Sequence, residues 1–399
     1  MRVSFTTFDA PDFVGGPNSW LRRVVPFLQQ AGWLVDVFFV IERGPPEACP
    51  CYRALTDLGV RCKAIPSSAT AFAQVRSLLQ ELAESPPSVF VVNLSGIGYL
   101  ATRWVTRAGI PTIGIMHSDD AFYRKIFADF VVGPAGNCVS DLVCVSEYLA
   151  QEAAAANTAT SMHLIPYGVR IPEPTASGPT GTLRLIYVGR LVEEQKQILS
   201  VTRALCRVVR EVPGTEAIIY GNGPDRERVK RCLEDEHAGE RVWLGGQIDN
   251  ADIQKVMLEA DILVLLSDYE GLPIALLEAM ACGLVPVCLR IRSGVGQLIE
   301  QGKSGFLVDD RGEDFVATIR ALAIDPELRS RVAGAARETI VAQYSEELNA
   351  RRWKDLLSDR SRQAPQPEAT QRALLRGVGS LDFLERTVSQ NNDRSVRST

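Results

Sequence analysis

Histidine is scarce in this chain, with three residues in 399. A zinc site built wholly from protein ligands is therefore not expected. The nine cysteines do not fill the gap, because they are scattered without metal-site spacing. Cys49-Pro50-Cys51 is the one close pair, and loop chemistry explains it better than a metal or redox role. Most of the other cysteines, Cys144 and Cys288 among them, fall in apolar segments, as small core residues of a reducing compartment do. Long apolar runs are missing too: no window offers the ~20 uncharged residues that a membrane-spanning helix needs. The opening MRVSFTTFDAPDF has neither a long apolar stretch nor a small-residue cleavage site, and the sequence reads as cytoplasmic. Long basic runs are absent and the net charge is −5, so there is no nucleic-acid footprint. Arg22, Arg23, Arg124 and Lys125 could make peripheral contact with the inner face of a membrane or with an anionic acceptor, although scattered basic residues are usually just solvated.

What the chain does have is apolar content, 46% of its residues, ample for sizeable cores. Short β-branched or aromatic runs recur at helix-length intervals. In the first half they are Arg2–Phe8, Trp33–Ile41, Val60–Ile65, Ser88–Leu94, Pro111–Met116 and Leu142–Ser146. In the second half they are Leu183–Gly189, Thr215–Gly221, Arg241–Gly245, Asp261–Ser267, Leu284–Leu289 and Gly305–Val308. Most are continuous rather than alternating, as parallel strands covered on both faces should be. Strand–helix alternation twice over predicts an α/β protein of two doubly wound, Rossmann-like domains. The break falls in IPEPTASGPTGT, which holds three prolines and two glycines and reads as a linker. The expected division is an N-terminal domain over 1–172, a linker over 173–181 and a C-terminal domain over 182–340. An amphipathic helix follows over 341–359, then a polar tail, 360–399, expected to be largely disordered.

In open α/β sheets ligands bind outside the carboxyl ends of the strands, and YEGLPIALLEAMACGLVPV (269–287) reads as such an exit loop followed by a helix. The helix is apolar nearly all round, yet carries Glu278 in its middle, with Glu270 just before it. A buried carboxylate without partners costs several kcal/mol. Two readings stand about even: Glu278 accepts from ligand hydroxyls such as those of a ribose, or it caps backbone N–H groups or pairs with a core arginine. Glu270, in the loop, could accept from a second moiety. Pro273 suits a helix start, the helix N-terminus attracts anions, and Gly271 permits close backbone approach. A second constellation tips the balance towards a ligand. In YVGRLVEEQKQ (187–197) a strand turns at Gly189 and sets Arg190 and Lys196 at its carboxyl end, two cations suited to a diphosphate. The loop YGNGPD (220–225) is a weak glycine signal by itself.

These motifs, together with LGGQ and GQLIEQGKSGFLV, resemble in order and spacing those of glycosyltransferase family 4, retaining sugar transferases of the GT-B fold. The resemblance implies two domains facing across a cleft. It implies that Arg190 and Lys196 hold the donor's diphosphate, that Glu278 binds the ribose, and that Glu270 contacts the transferred sugar. The backbone of Gly271, Leu272 and Pro273 would meet sugar and phosphate, and Gly246, Gln247 and Ile248 would flank the nucleobase. Two departures stand out: Gln197 where the family often has Gly after the lysine, and Gln297 where it commonly has Glu.

FVGGPNSWLRRVV (13–25) follows the first strand. Gly15 and Gly16 would let the backbone approach phosphate or sugar, with Asn18 or Ser19 capping the next helix. A bare Gly-Gly is weak, but its place matches the family's glycine loop. PTIGIMHSDD ends a strand at His117. A lone histidine is more often structural; by resemblance, His117 would face the reacting sugar or acceptor. Asp119 and Asp120 are less marked. The implied reaction moves a sugar from a nucleotide-diphosphate sugar to an acceptor hydroxyl with retention, without metal or cofactor, in glycan or surface-polysaccharide synthesis. Growing charge on the leaving diphosphate would meet Arg190, Lys196 and the helix tip. Two alternatives remain: a sugar-nucleotide epimerase of the same fold, and a non-catalytic nucleotide-sugar-binding protein.

Overall fold

The computed structural model describes residues 1–396 except Val14, Ser68, Asn157, Pro179, Thr180, Gly239, Asn250 and Ala251. Two linker residues, Pro179 and Thr180, and the tail's last three, 397–399, thus lie outside the described residues. The chain divides into two compact units. The first holds Met1–Cys144, Ala150–Ile165 and the chain from Ala350 onward, and the second holds Val145–Leu149 and Pro166–Asn349. Residues 166–172, placed by the sequence reading in the first domain, therefore group with the second unit. Val169 bridges to Ser345 there, and the Asn349 side chain donates to the Pro166 carbonyl at 2.5 Å.

In the first unit the strands are β1 (Arg2–Asp9), β2 (Leu34–Ile41), β3 (Arg61–Pro66), β4 (Val89–Val92), β5 (Thr112–Met116), β6 (Asp141–Cys144) and β7 (Ser161–Leu164). They form one sheet in the order β3-β2-β1-β4-β5-β6-β7. In the second unit β8 (Leu183–Val188), β9 (Thr215–Tyr220), β10 (Val242–Gly246), β11 (Ile262–Leu265), β12 (Val285–Leu289) and β13 (Phe306–Val308) line up as β10-β9-β8-β11-β12-β13. Every ladder is parallel. The continuous apolar runs of β4, β5, β6, β11 and β12 are buried along their whole length, as strands covered by helices on both faces must be. Each sheet is a doubly wound, Rossmann-like layer, as the alternation of strand and helix predicts.

One strand escapes the sequence reading. β7 pairs with β6 at the sheet's edge, and its end residues are exposed. Its Ser-Met-His-Leu sequence lacks the apolar run that marks the central strands.

The tail is a second difference. Where a largely disordered segment is expected, the chain forms a helix over Pro367–Val396. Leu374, Val378 and Leu381 recur at helical spacing and are buried. The Trp104 indole donates to Ser380 Oγ at 3.0 Å. At Gly377 a Cβ would come within 2.9 Å of the Trp104 ring, so the close approach requires glycine. The apolar stripe decides the conformation of this stretch, against its polar average.

Two helices precede it, Pro326–Gln343 and Glu346–Ser361. The second is buried through Trp353, whose ring centroid lies 4.8 Å from that of Trp20. It is anchored by Arg360, whose guanidinium grips the buried Asp141 carboxylate at 2.8–3.0 Å, while His163 Nε2 lies 2.7 Å from the same group.

Candidate functional site

The second sheet reverses its order between β8 and β11: the chain winds outward through β9 and β10, then returns to the other side of β8. At such a switch point the loops leaving the two adjacent strands part and leave a crevice. The loops that leave β8 and β11 here carry Gly189, Arg190 and Lys196 on one side and Glu270, Gly271, Leu272 and Pro273 on the other. Lys196 and Glu270 form an ion pair across the two loops. Gln195 stitches the same loops: its Oε1 accepts from Arg190 Nη2 at 2.9 Å, and its Nε2 donates to the Tyr269 carbonyl at 3.1 Å and lies 3.5 Å from Glu270 Oε2. Three residues singled out from the sequence are therefore brought together. A fourth, Gln195, carries no pattern by which a sequence would reveal it. The pairing itself differs from the expectation that Lys196 serves a diphosphate and Glu270 a sugar.

The helix Ile274–Cys282 begins beside them. Its N-cap is Pro273, one position earlier in role than the sequence suggests, and no side chain caps the first turn. Those N–H groups carry the positive end of the helix dipole. Gly283, at φ +84°, ends the helix, with Leu284 N–H closing on the Ala279 carbonyl at 3.0 Å, the left-handed termination that favours glycine. Glu278 sits in the second turn and is buried. Gly271 and Leu272 are also buried, and the Gly271 carbonyl accepts from Gly294 N–H at 2.8 Å. Asp268, just upstream, is held by Arg311, which also donates to the Leu266 carbonyl at 2.9 Å.

The glycines of YGNGPD have a packing role. A Cβ at Gly221 would fall 1.8 Å from the Gly189 carbonyl oxygen, and one at Gly223 would fall 2.3 Å from that of Leu191. The β9 exit loop lies directly on the backbone of the β8 exit loop, and this contact demands both glycines. Beyond it, Gln247 Oε1 accepts from Asn222 at 3.2 Å; Gln247 is exposed and Ile248 half-buried.

The remaining predicted residues belong to the first unit. Gly15 is the N-cap of the helix Gly16–Gln30, which has no side-chain cap. Asn18 and Ser19, expected to cap that helix, lie inside it. The Asn18 side chain instead turns to β1, donating to the Phe8 carbonyl at 2.9 Å. His117 leaves the end of β5 and is buried beside the rings of Trp20 and Tyr123. Its Nε2 lies 2.6 Å from Asn93 Oδ1. Burial pushes the His117 pKa down to about 3, so the ring is neutral at physiological pH.

Two family matches cover most of the chain: one described as glycosyl transferases group 1 matches residues 175–339, and one described as glycosyl transferase 4-like domain matches residues 15–168. The two halves of the chain thus match glycosyltransferase families, the first the 4-like domain and the second group 1. The chain is 29% identical over 387 residues to the GDP-mannose-dependent alpha-(1-6)-phosphatidylinositol monomannoside mannosyltransferase of Mycobacterium tuberculosis, a match spanning 89% of this chain and 98% of that protein. It is 32% identical over 183 residues to the amylovoran biosynthesis glycosyltransferase AmsK of Erwinia amylovora, 44% of each chain. The chain spans about half the length of the first curated relatives it matches. Among solved structures, Anabaena HepE in complex with UDP and glucose shares the fold with a TM-score of 0.72 at 17% identity, over 90% of this chain and 99% of that one.

Both departures of the chain from the family pattern it resembles have a visible structural setting. Gln197 adopts φ +49°, ψ +43°, the left-handed region, as C-cap of the short helix Glu193–Lys196. Glycine enters that region without penalty and glutamine does not. Gln297 accepts from Glu147 N–H at 2.8 Å and donates to the Tyr344 hydroxyl at 3.1 Å. An amide serves both, and a glutamate here would need the Tyr344 hydroxyl to donate instead. Among the described residues no group of His, Cys, Asp and Glu is arranged to hold a metal ion, and no helix is long and apolar enough to cross a membrane.

Proposed function

We propose that this protein transfers a sugar, with retention, from a nucleotide-diphosphate sugar to an acceptor hydroxyl in glycan or surface-polysaccharide synthesis. The observation that carries the reading is the meeting of Arg190, Lys196 and Glu270 at the switch point of the second sheet, beside a helix N-terminus that no side chain caps. Arg190 and Lys196 hold the diphosphate, and the first turn of the helix Ile274–Cys282 adds its partial positive charge. Glu278 takes the ribose hydroxyls, and Gly189, Gly271, Leu272 and Pro273 line the path of sugar and phosphate. Gln247 and Ile248 flank the base. Gly15 and Gly16 on the first unit approach phosphate or sugar, and His117 serves the reacting sugar or its acceptor.

The Lys196–Glu270 pair fits this chemistry as an exchange. A phosphate oxygen takes the place of Glu270 on Lys196, and the released carboxylate turns to the hydroxyls of the transferred sugar. As the bond from the anomeric carbon to the diphosphate breaks, the growing negative charge falls on cations already in place, which is the largest source of catalysis in such sites. The acceptor attacks the face being vacated, and the leaving phosphate oxygen takes its proton. Neither a cofactor nor a metal enters this scheme.

The test is a thermal-shift screen of the full chain against nucleoside diphosphates and their sugars, followed by mass spectrometry of any product. At least one nucleotide should stabilise the wild type, and Arg190→Ala and Lys196→Ala should weaken that effect. A wild type indifferent to every nucleotide would defeat the proposal. Conversion of a donor to its epimer without transfer would favour an epimerase instead.

A further inference from the structure

A buried hydroxyl on the switch-point loop is left over. Ser267 lies two positions past the end of β11 and three before Glu270, and it is 1% exposed. Its Oγ has no hydrogen-bond partner among the described residues. The backbone on either side of it is held fast. The Leu266 carbonyl accepts from Arg311 Nε at 2.9 Å, and the same guanidinium grips the Asp268 carboxylate. Asp268 N–H donates to the Gln195 carbonyl at 3.0 Å. Ser267 is thus fixed in place, and a buried hydroxyl without a partner costs free energy. Alanine would fill nearly the same space with no polar atom to bury.

Glu270 is the acceptor on the same loop. Its Oε1 is paired with Lys196, but its Oε2 has only Gln195 Nε2 at 3.5 Å, the far limit of a hydrogen bond. One carboxylate oxygen is therefore weakly held. The strands run β8-β11-β12, and the Glu270 charge reaches groups on both flanking strands. Burial pushes the Tyr187 hydroxyl of β8 and the Cys288 thiol of β12 up, and the Glu270 carboxylate adds to each. Its charge acts across the end of the strand between them, β11, from which Ser267 follows.

We propose that Ser267 is the positioning residue for Glu270: when a phosphate oxygen takes Lys196, the Ser267 hydroxyl donates to the released Glu270 carboxylate and fixes it towards the hydroxyls of the transferred sugar. The proposal deepens the transferase reading and rests on it for the exchange at Lys196. A serine hydroxyl donates and a carboxylate only accepts, so the two are complementary. A hydrogen bond to an ion is also stronger than one between neutral groups. Freed from Lys196, the buried carboxylate needs a new donor on the protein side. Ser267, unpartnered while the ion pair lasts, supplies it. The exchange thus satisfies two buried groups at once.

The test compares four full-length proteins: wild type, Ser267→Ala, Glu270→Ala and the double variant. Urea unfolding gives their stability without nucleotide. Calorimetric titration gives their affinity for the hexose esters of uridine, guanosine and adenosine diphosphates. Without nucleotide, Ser267→Ala should be at least as stable as wild type, because it removes a hydroxyl that has no partner. Its Kd for the nucleotide sugar that wild type binds should nevertheless rise about tenfold, the loss of one hydrogen bond to a charged group. In the Glu270→Ala background the same substitution should leave Kd unchanged. A merely structural serine would show the opposite pattern, lower stability and no dependence on Glu270. A less stable Ser267→Ala, an unchanged Kd, or an equal rise in both backgrounds overturns the proposal and leaves the transferase reading standing. A wild type that binds no nucleotide sugar defeats that reading, and this proposal with it.

Discussion

Lys196 and Glu270 stand 74 positions apart in the sequence and meet as an ion pair whose side chains are 13% and 6% exposed. Removing one partner of such a pair leaves the other charge buried and alone, at a cost of about 3–5 kcal/mol for full burial. Lys196→Ala should therefore lose stability as well as nucleotide response. The double variant Lys196→Ala/Glu270→Ala should regain at least about 1 kcal/mol over the single one. Urea unfolding of the four proteins measures the coupling, and equal stability of single and double variants would deny it.

Gln197 occupies a left-handed conformation that costs an ordinary residue about 1–2 kcal/mol. Gln197→Gly should stabilise the protein by about 1 kcal/mol, offset in part by the extra freedom of glycine in the unfolded chain. Gln197→Val should destabilise it. Denaturant midpoints at constant slope give the answer, and a glycine variant less stable than wild type would mean that the Gln197 side chain makes a contact that outweighs the strain.

Two buried groups predict separate regions of acid sensitivity. His117 has its pKa lowered by burial to about 3, against about 6.5 in an unfolded chain. Below pH 6.5 the unfolded state takes up a proton that the folded state refuses. Stability therefore falls with decreasing pH down to the folded pKa, by up to about 1.4 kcal/mol per unit. His117→Gln should flatten the profile between about pH 4 and 6.

Asp141 acts lower on the scale. Burial raises its pKa, but hydrogen bonds from His163 and Arg360 outweigh it and hold the group below its ordinary value. The stability it contributes is present above about pH 3.9, its unfolded value, and is lost as pH falls through the lowered folded value. Asp141→Asn should remove that acid limb while costing stability at neutral pH. A variant whose profile below pH 4 matches the wild type would show that Arg360 and His163 do not hold the charge.

Of the nine free thiols, only Cys62 and Cys138 are not fully buried. Burial pushes Cys49 and Cys62 up to about 11, and Cys144, Cys206 and Cys282 up to about 12. The native protein at pH 8 should react slowly with a disulfide reagent, at Cys62 and Cys138 first. All nine should react quickly in denaturant. Rapid native reaction of Cys49 or Cys51 would point to a reactive pair instead.

The sheets were legible in the sequence because burial on both faces leaves an unbroken apolar run, as in Ile262–Leu265. β7 was not, since an edge strand with exposed ends needs no such run. The glycosyltransferase motifs placed Arg190, Lys196 and Glu270 at strand exits. They could not show the ion pair, which depends on which two strands adjoin at the switch point. Gln195 and Asn93 stay hidden for a simpler reason: a lone neutral amide has no spacing or charge that sets it apart. The helix in the tail stays hidden because the polar average of that stretch conceals the stripe of Leu374, Val378 and Leu381.

The helix Glu346–Ser361 has a practical bearing on attempts to divide the molecule. Its first four residues group with the second unit and the rest with the first, and Trp353 and Arg360 supply part of the first unit's interior. A gene cut after residue 172 would thus encode an N-terminal half lacking the ring that packs on Trp20 and the guanidinium that neutralises Asp141. Separate production of the two halves calls for a graft: residues 350–381 added to the first piece, through a new turn or as a peptide in trans.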